Sequence, residues 1–178
     1  MELHVATRLI GGAVGADKPE TWADLGAGTG LFTKALASLM NPDGKIYAID
    51  TDHHALAEIP ASVGDTEIEK VVLDFTDAAS LPSHLDGVLM ANSLHFIEDK
   101  TGFIRDLKAR LNASATLIII EYDMDTPNPW VPFPISCKLL EGLLRSGGFR
   151  NVRKLHEHPS RYNRASIYSI AGSTIRQA

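Results

Sequence analysis

The sequence predicts an open, doubly wound α/β sheet of seven mostly parallel strands, ending in a C-terminal hairpin that makes one strand antiparallel. Three observations predict it. Short runs of apolar and β-branched residues alternate with segments that repeat apolar residues at helical spacing, which requires parallel strands joined by right-handed crossovers. The first of these runs leads directly into the glycine-rich "DLGAGTG", Asp24 to Gly30. The last two runs lie too close together to hold a helix, so they pair as a hairpin.

The elements follow in order. "TWADL" (Thr21–Leu25) is the first strand, and "GLFTKALASLM" places Leu31, Ala35, Leu36 and Leu39 on one helical face. "NPDGK" is a turn, because proline presets φ and glycine takes a conformation other residues resist. "KIYAID" (Lys45–Asp50) is the second strand, "IEKVVLDF" the third and "LDGVLMAN" (Leu85–Asn92) the fourth. "FIRDLKARL" repeats Phe103, Leu107 and Leu111 as a helix would. "TLIIIEY" is the fifth strand, apolar nearly throughout, as expected when both sheet faces are covered. "TPNPWVPFP" (Thr126–Pro134) holds four prolines in nine residues and reads as an ordered loop or lid. "ISCKLLEGLLRSGGF" is a helix with Ile135, Leu139 and Leu143 on one side, Cys137 in the core, and Gly147 and Gly148 as a left-handed cap over which Phe149 packs. "NVRKLHEH" and "SIYSIAG", joined by "PSRYNRA", are the final two strands.

Composition bounds the function. The chain has 178 residues, enough for one full domain, so residues 1–178 are expected to form a single unit. Hydrophobic residues make up 44% and charged residues 22%, the balance of a globular protein rather than a disordered or fibrous one. Cys137 is the single cysteine, so no intrachain disulfide framework exists and a reducing, cytoplasmic setting is expected. The N-terminus lacks the pattern of a signal peptide, and no apolar stretch approaches the ~20 residues of a membrane span, so no membrane partner is expected. Charge is asymmetric. Residues 1–144 carry 10 Lys+Arg against 21 Asp+Glu, and residues 145–178 carry 7 against 1, Glu157. That basic segment is either a solvated face or a local field for an anionic ligand. It lacks a dense cationic run with interleaved aromatics, so nucleic acid is not an expected partner.

In such a sheet, ligands bind beyond the carboxyl ends of the strands, where strand order reverses. The glycines of "GAGTG" let backbone approach a ligand there. A dinucleotide fingerprint, G-x-G-x-x-G, would need a third glycine where this chain has Leu31, and Asp24 would repel a pyrophosphate. The same aspartate favours a ligand bearing an ammonium or sulfonium. Asp50 ends the second strand, where a carboxylate can accept from both hydroxyls of a ribose. Asp74 and Phe75 end the third, where they could meet an exocyclic amine and a purine face. "ANSLHF" brings Asn92, Ser93 and His95 to the cleft mouth.

This order, Asp-x-Gly-x-Gly-x-Gly, an acid after the second strand, Asp-Phe after the third and Asn-x-Leu-His after the fourth, resembles the class I S-adenosylmethionine-dependent methyltransferases. The closing helix, "GGF" and the final hairpin extend the likeness over nearly the whole chain. It implies a Rossmann-like methyltransferase fold, S-adenosylmethionine as cofactor and methyl transfer to a small-molecule acceptor. Within the family, the chain is most similar to enzymes of the ubiquinone and menaquinone biosynthesis type. The resemblance sets Gly26, Ala27, Gly28 and Gly30 against the methionine and ribose part of the cofactor. It sets Asp24 toward the methionine amino group, Asp50 and Thr51 at the ribose, Asp74 and Phe75 at the adenine, and Asn92 beside the sulfonium. The chain lacks the Asn/Asp-Pro-Pro-Tyr/Phe motif of amino-methylating DNA enzymes.

Several residues keep two readings. His95 is a general base or a wall histidine. Trp130 and Phe133 line a substrate pocket or pin the proline loop. Arg161, Tyr162 and Arg164 are exposed, or they hold an anionic substrate. His156 and His158 share a strand face, but without a matching Cys or carboxylate set no metal is expected. The alternative functions are a non-catalytic S-adenosylmethionine-binding subunit or sensor, and a nicotinamide-dependent oxidoreductase. The oligomeric state has no signature in the sequence.

Overall fold

The computed structural model describes residues 1–160 and 165–174. Their elements are α1 (Leu3–Ile10), β1 (Thr21–Leu25), α2 (Leu31–Ala37), β2 (Lys45–Asp50), α3 (His53–Ala57), β3 (Ser62–Val63), β4 (Thr66–Val72), β5 (Leu85–Ala91), α4 (Lys100–Lys108), β6 (Leu111–Tyr122), α5 (Cys137–Ser146), β7 (Arg150–Pro159) and β8 (Ser166–Ser173). They form one sheet in the order β3-β4-β2-β1-β5-β6-β8-β7. Strands β4, β2, β1, β5 and β6 pair in parallel, and β8 runs antiparallel to both β6 and β7. The fold class agrees with the expectation. The sheet has eight strands rather than seven because Ser62–Val63 folds back antiparallel on Thr66–Val72 as a two-residue edge strand.

Helices cover both faces. On one, Val5, Ala6, Leu9 and Ile10 of α1 pack with Phe32, Ala35 and Leu36 of α2 over Ile46, Leu89, Ile118 and Ile120. On the other, Phe103, Ile104 and Leu107 of α4 join Leu140 and Leu144 of α5 over Val88, Leu117 and Ile119. Leu117 to Ile120 are fully buried in succession, the mark of a strand with both sides covered. The stripe of α1 has the i, i+1, i+4, i+5 spacing of an amphipathic helix, a signal that the elements named above omit.

Some local details depart from expectation. On α5 the fully buried residues are Leu140 and Leu144, whereas Leu139 is 57% exposed. Both stripes have a spacing of four; the helix orientation chooses between them. That orientation is set where Asp123 and Asp125, just past β6, accept from the Cys137 and Ser136 amides at 2.9 and 3.0 Å. Of the two cap glycines only Gly148 is left-handed (φ 80°), while Gly147 stays helical. Phe149 then donates to the Leu144 carbonyl and Gly148 to that of Arg145, a Schellman closure. Leu111 opens β6 instead of ending α4, and β4 stops at Val72, two residues before Asp74.

Candidate cofactor and active site

The carboxyl ends of β1, β2 and β5 meet where the strand order reverses. The glycine loop is tied there by its own backbone: Gly26 and Ala27 both donate to the Ile49 carbonyl, at 2.8 and 3.0 Å. Gly26 (φ 80°) lies so close to Ser93 that a Cβ would stand 2.7 Å from the serine Cβ. Gly28 (φ 53°) is the opposite case, with no atom within 4 Å of an added Cβ. The loop therefore turns an open, side-chain-free face outward at Gly28. Gly30, also left-handed, packs on Ile59, and Ala27 is buried.

Two carboxylates belong to this region, Asp50 at the Gly28 amide and Asp24 at the head of the loop. Asp50 accepts from the Gly28 amide at 2.8 Å through Oδ2 and from the Asp52 amide at 3.0 Å through Oδ1. A carboxylate has about four acceptor positions, so each oxygen keeps one for a ligand hydroxyl. Thr51, next to it, is exposed. Asp24 is 1% exposed; its Oδ2 accepts from the Thr33 hydroxyl at 2.6 Å, while Oδ1 is buried with no partner among the described residues. Burial pushes its pKa up to about 7, opposed by the Thr33 bond and reinforced by the charge of Asp50. A buried carboxylate oxygen without a donor is costly unless a cation or donor arrives from outside.

The remaining residues fall unequally. Asn92 directly follows β5 in a left-handed conformation (φ 54°), and its side-chain oxygen is buried without a partner among the described residues. The Ser93 hydroxyl locks this corner by donating to the Leu25 carbonyl at 2.6 Å. Asp74 is exposed; its Oδ1 accepts from the Thr76 amide at 3.0 Å, and bonds from Thr76 hold its pKa below the usual range. Phe75 is 8% exposed and belongs to the core, with its ring edge close to Gly26.

His95 is 3% exposed. Its Nδ1 is 2.8 Å from Glu121 Oε2, and its backbone N–H donates to Glu121 Oε1 at 3.0 Å. These contacts fit a wall histidine better than the reach a general base needs. Glu121 has no place among the candidate residues read from the sequence. The signal for it was a single acid within the apolar run of β6, a position where an ionisable group needs a dedicated partner. Trp130, in the proline loop, is 80% exposed and does not line the cavity that Asn92 and Tyr122 border. That loop is instead held by the Phe133 amide, which donates to the His95 carbonyl at 3.0 Å.

Of the basic C-terminal residues, Arg145 donates to the Val152 carbonyl and Arg153 to that of Gly12, each at 2.8 Å, while Lys154 pairs with Glu157. These are structural uses. Arg161, Tyr162 and Arg164 lie outside the described residues. No cluster of three or more metal-ligating side chains occurs among the described residues, and none of their helices is long and apolar enough to cross a membrane.

A model of the methyltransferase domain family matches residues 23–117, more than half of the chain. Solved structures share the fold across nearly its full length. A methyltransferase from Methanosarcina mazei aligns over 90% of this chain and 95% of its own, with 18% identity and a TM-score of 0.65. The YcgJ protein of Bacillus subtilis aligns over 97% and 99%, with 12% identity and a TM-score of 0.73. The 1,6-didemethyltoxoflavin N1-methyltransferase of Burkholderia thailandensis, solved with its substrate and S-adenosylhomocysteine, aligns over 97% and 78%, with 16% identity and a TM-score of 0.69. No curated protein sequence matches. The chain belongs to the methyltransferase domain family, as an S-adenosylmethionine-dependent enzyme of class I.

Proposed function

We propose that residues 1–178 act as one domain that transfers the methyl group of S-adenosylmethionine to a small-molecule acceptor. The observation that carries this reading is the pair Asp24 and Asp50 at the glycine loop: Asp50 accepts from the Gly28 amide, and Asp24, whose pKa the charge of Asp50 helps to raise, keeps one buried oxygen without a donor among the described residues. An ammonium would answer Asp24. A vicinal diol would use the acceptor positions left on Asp50, with Thr51 alongside, and Gly26, Ala27, Gly28 and Gly30 would border the space between. Asp74 and Phe75 stand one strand further along for a purine, and Asn92 stands on the acceptor side. Within the family, we place the chain near the ubiquinone and menaquinone biosynthesis enzymes, the group its sequence most resembles.

When bound, the cofactor supplies an electrophilic methyl on a positively charged sulfur. The chain's task is alignment and exclusion of water, which can provide most of the rate by proximity and orientation. The acceptor's lone pair forms the new bond to carbon as the carbon–sulfur bond breaks and its electrons stay on sulfur. The acceptor's proton leaves to solvent. His95, engaged with Glu121, positions the segment after β5 and is not required to take that proton.

Titration calorimetry with S-adenosylmethionine, S-adenosylhomocysteine and NAD tests this reading. The first two are expected to bind and NAD is not. Tight NAD binding without a response to the others would overturn it.

A further inference from the structure

A cavity of about 440 Å³ opens beside Asn92, within the range of ~300–1,000 Å³ typical of small-molecule sites. Its position relative to the glycine loop is fixed: Ser93, the next residue, donates to the Leu25 carbonyl at the head of that loop. The other walls come from parts of the chain remote in sequence. They are α1, the end of β6 at Tyr122, and the β7–β8 hairpin at His158, Pro159 and Ile167. Val5, Tyr122, Pro159 and Ile167 supply an apolar and aromatic lining suited to a flat, ring-sized body.

The charged groups of the lining are unevenly engaged. Glu2 is its one carboxylate and lies 3.6 Å from His4 Nδ1. Arg8 sits one turn along α1 from His4 and makes no ion pair with any described residue. A guanidinium presents a planar fork of donors that matches a carboxylate in bidentate fashion. At the other wall, Asn92 holds a buried side-chain oxygen without a donor among the described residues.

We propose that this cavity holds the methyl acceptor and that the acceptor is a small cyclic carboxylic acid. Its carboxylate lies on Arg8, and its nucleophilic O–H or N–H end faces Asn92. This rests on the methyltransferase reading above. It relocates the anion site from the hairpin arginines to α1, and it makes α1 the element that selects the acceptor by charge.

The test uses the full chain saturated with S-adenosylhomocysteine. Binding of that product, measured first, tests the underlying reading by itself, and its absence overturns both. Ligand-observed NMR then compares benzoate, 4-hydroxybenzoate and indole-3-acetate with their neutral amides and with benzylamine. At least one carboxylate is expected to bind more tightly than its amide and than benzylamine. Arg8→Gln is expected to weaken that carboxylate roughly tenfold or more while leaving S-adenosylhomocysteine affinity unchanged. Arg8 is exposed, so the variant leaves the core intact. Lys18→Gln, an equal change in net charge at an exposed site elsewhere, should change nothing. Binding of the product with no carboxylate bound, with amide or amine bound as tightly, or with Arg8→Gln equal to the parent would overturn the acceptor assignment and leave the cofactor reading standing.

Discussion

Asp24 is a carboxylate whose surroundings oppose its own charge. Burial pushes its pKa up to about 7 from 3.8, so the folded chain takes up a proton there that the unfolded chain releases. With the folded value raised, the contribution to stability is fully present below about pH 4 and is lost as pH rises through about 7. The melting temperature without ligand should therefore fall over that window, and Asp24→Asn should remove this part of the fall. Cofactor binding has the opposite sign. An ammonium partner needs the ionised carboxylate, so affinity for S-adenosylhomocysteine should rise as pH passes about 7. Binding at lower pH should release a proton, visible as a buffer-dependent heat; a heat independent of buffer would detach Asp24 from the ligand. The glycines give a paired test. Gly28→Val meets open space, so it should fold with a left-handed strain of roughly 1–2 kcal/mol and lose cofactor binding. Gly26→Ala meets Ser93, so its loss should show first in the melt. If Gly28→Val binds normally, the loop does not touch the ligand.

At the level of elements, the site is held by side chains that cross between strands and loops. Glu121 on β6 receives both the backbone N–H of His95 and contact from its ring, so the segment after β5 is pinned to its neighbouring strand. Glu121→Ala would leave a buried N–H and ring nitrogen without their acceptor, at a cost of about 1–3 kcal/mol each in the worst case. Glu121→Gln keeps an oxygen for the N–H and should cost less in a denaturant melt. Equal losses in the two variants would mean that volume, not hydrogen bonding, is what Glu121 provides. The element order explains why this matters for the site. Asn92 sits only three residues before His95, and the proline loop bonds to the His95 carbonyl through Phe133. A loosened Glu121 should therefore disturb acceptor turnover more than cofactor affinity, a contrast that kcat and the product's Kd would separate.

For the whole molecule, ligand and fold are linked. A ligand that binds only the folded state stabilises it by about 2.7 kcal/mol at a hundredfold excess over Kd. S-adenosylhomocysteine at that excess should thus raise Tm by several degrees for a chain of this size, and NAD should not. An NAD-dependent rise alone would contradict the cofactor. The site in turn spans distant sequence: Arg8 of α1, Asn92 just past β5, Tyr122 of β6, Pro159 of β7 and Ile167 of β8 border one cavity because β8 inserts between β6 and β7 and α1 covers that edge of the sheet.

The sequence by itself determined the alternation of strands and helices, the antiparallel hairpin, the glycine turn at the switch point, and Asp24, Asp50 and Asn92 at or next to the ends of the first, second and fourth predicted strands. These are legible because each is local: periodicity, turn chemistry and a residue's place at the end of a run. Tertiary structure alone decided the rest. It chose Leu140 and Leu144 over Leu139, since two stripes of equal spacing differ only in what the helix meets. It placed Phe75 in the core and Trp130 in solvent, since an aromatic residue carries no mark of which side it will face. It paired His95 with Glu121 across 26 residues and gathered one cavity from α1, the residue after β5, β6, β7 and β8. Such contacts depend on which strands become neighbours, and strand order is settled by the packing of the whole sheet rather than by any single segment.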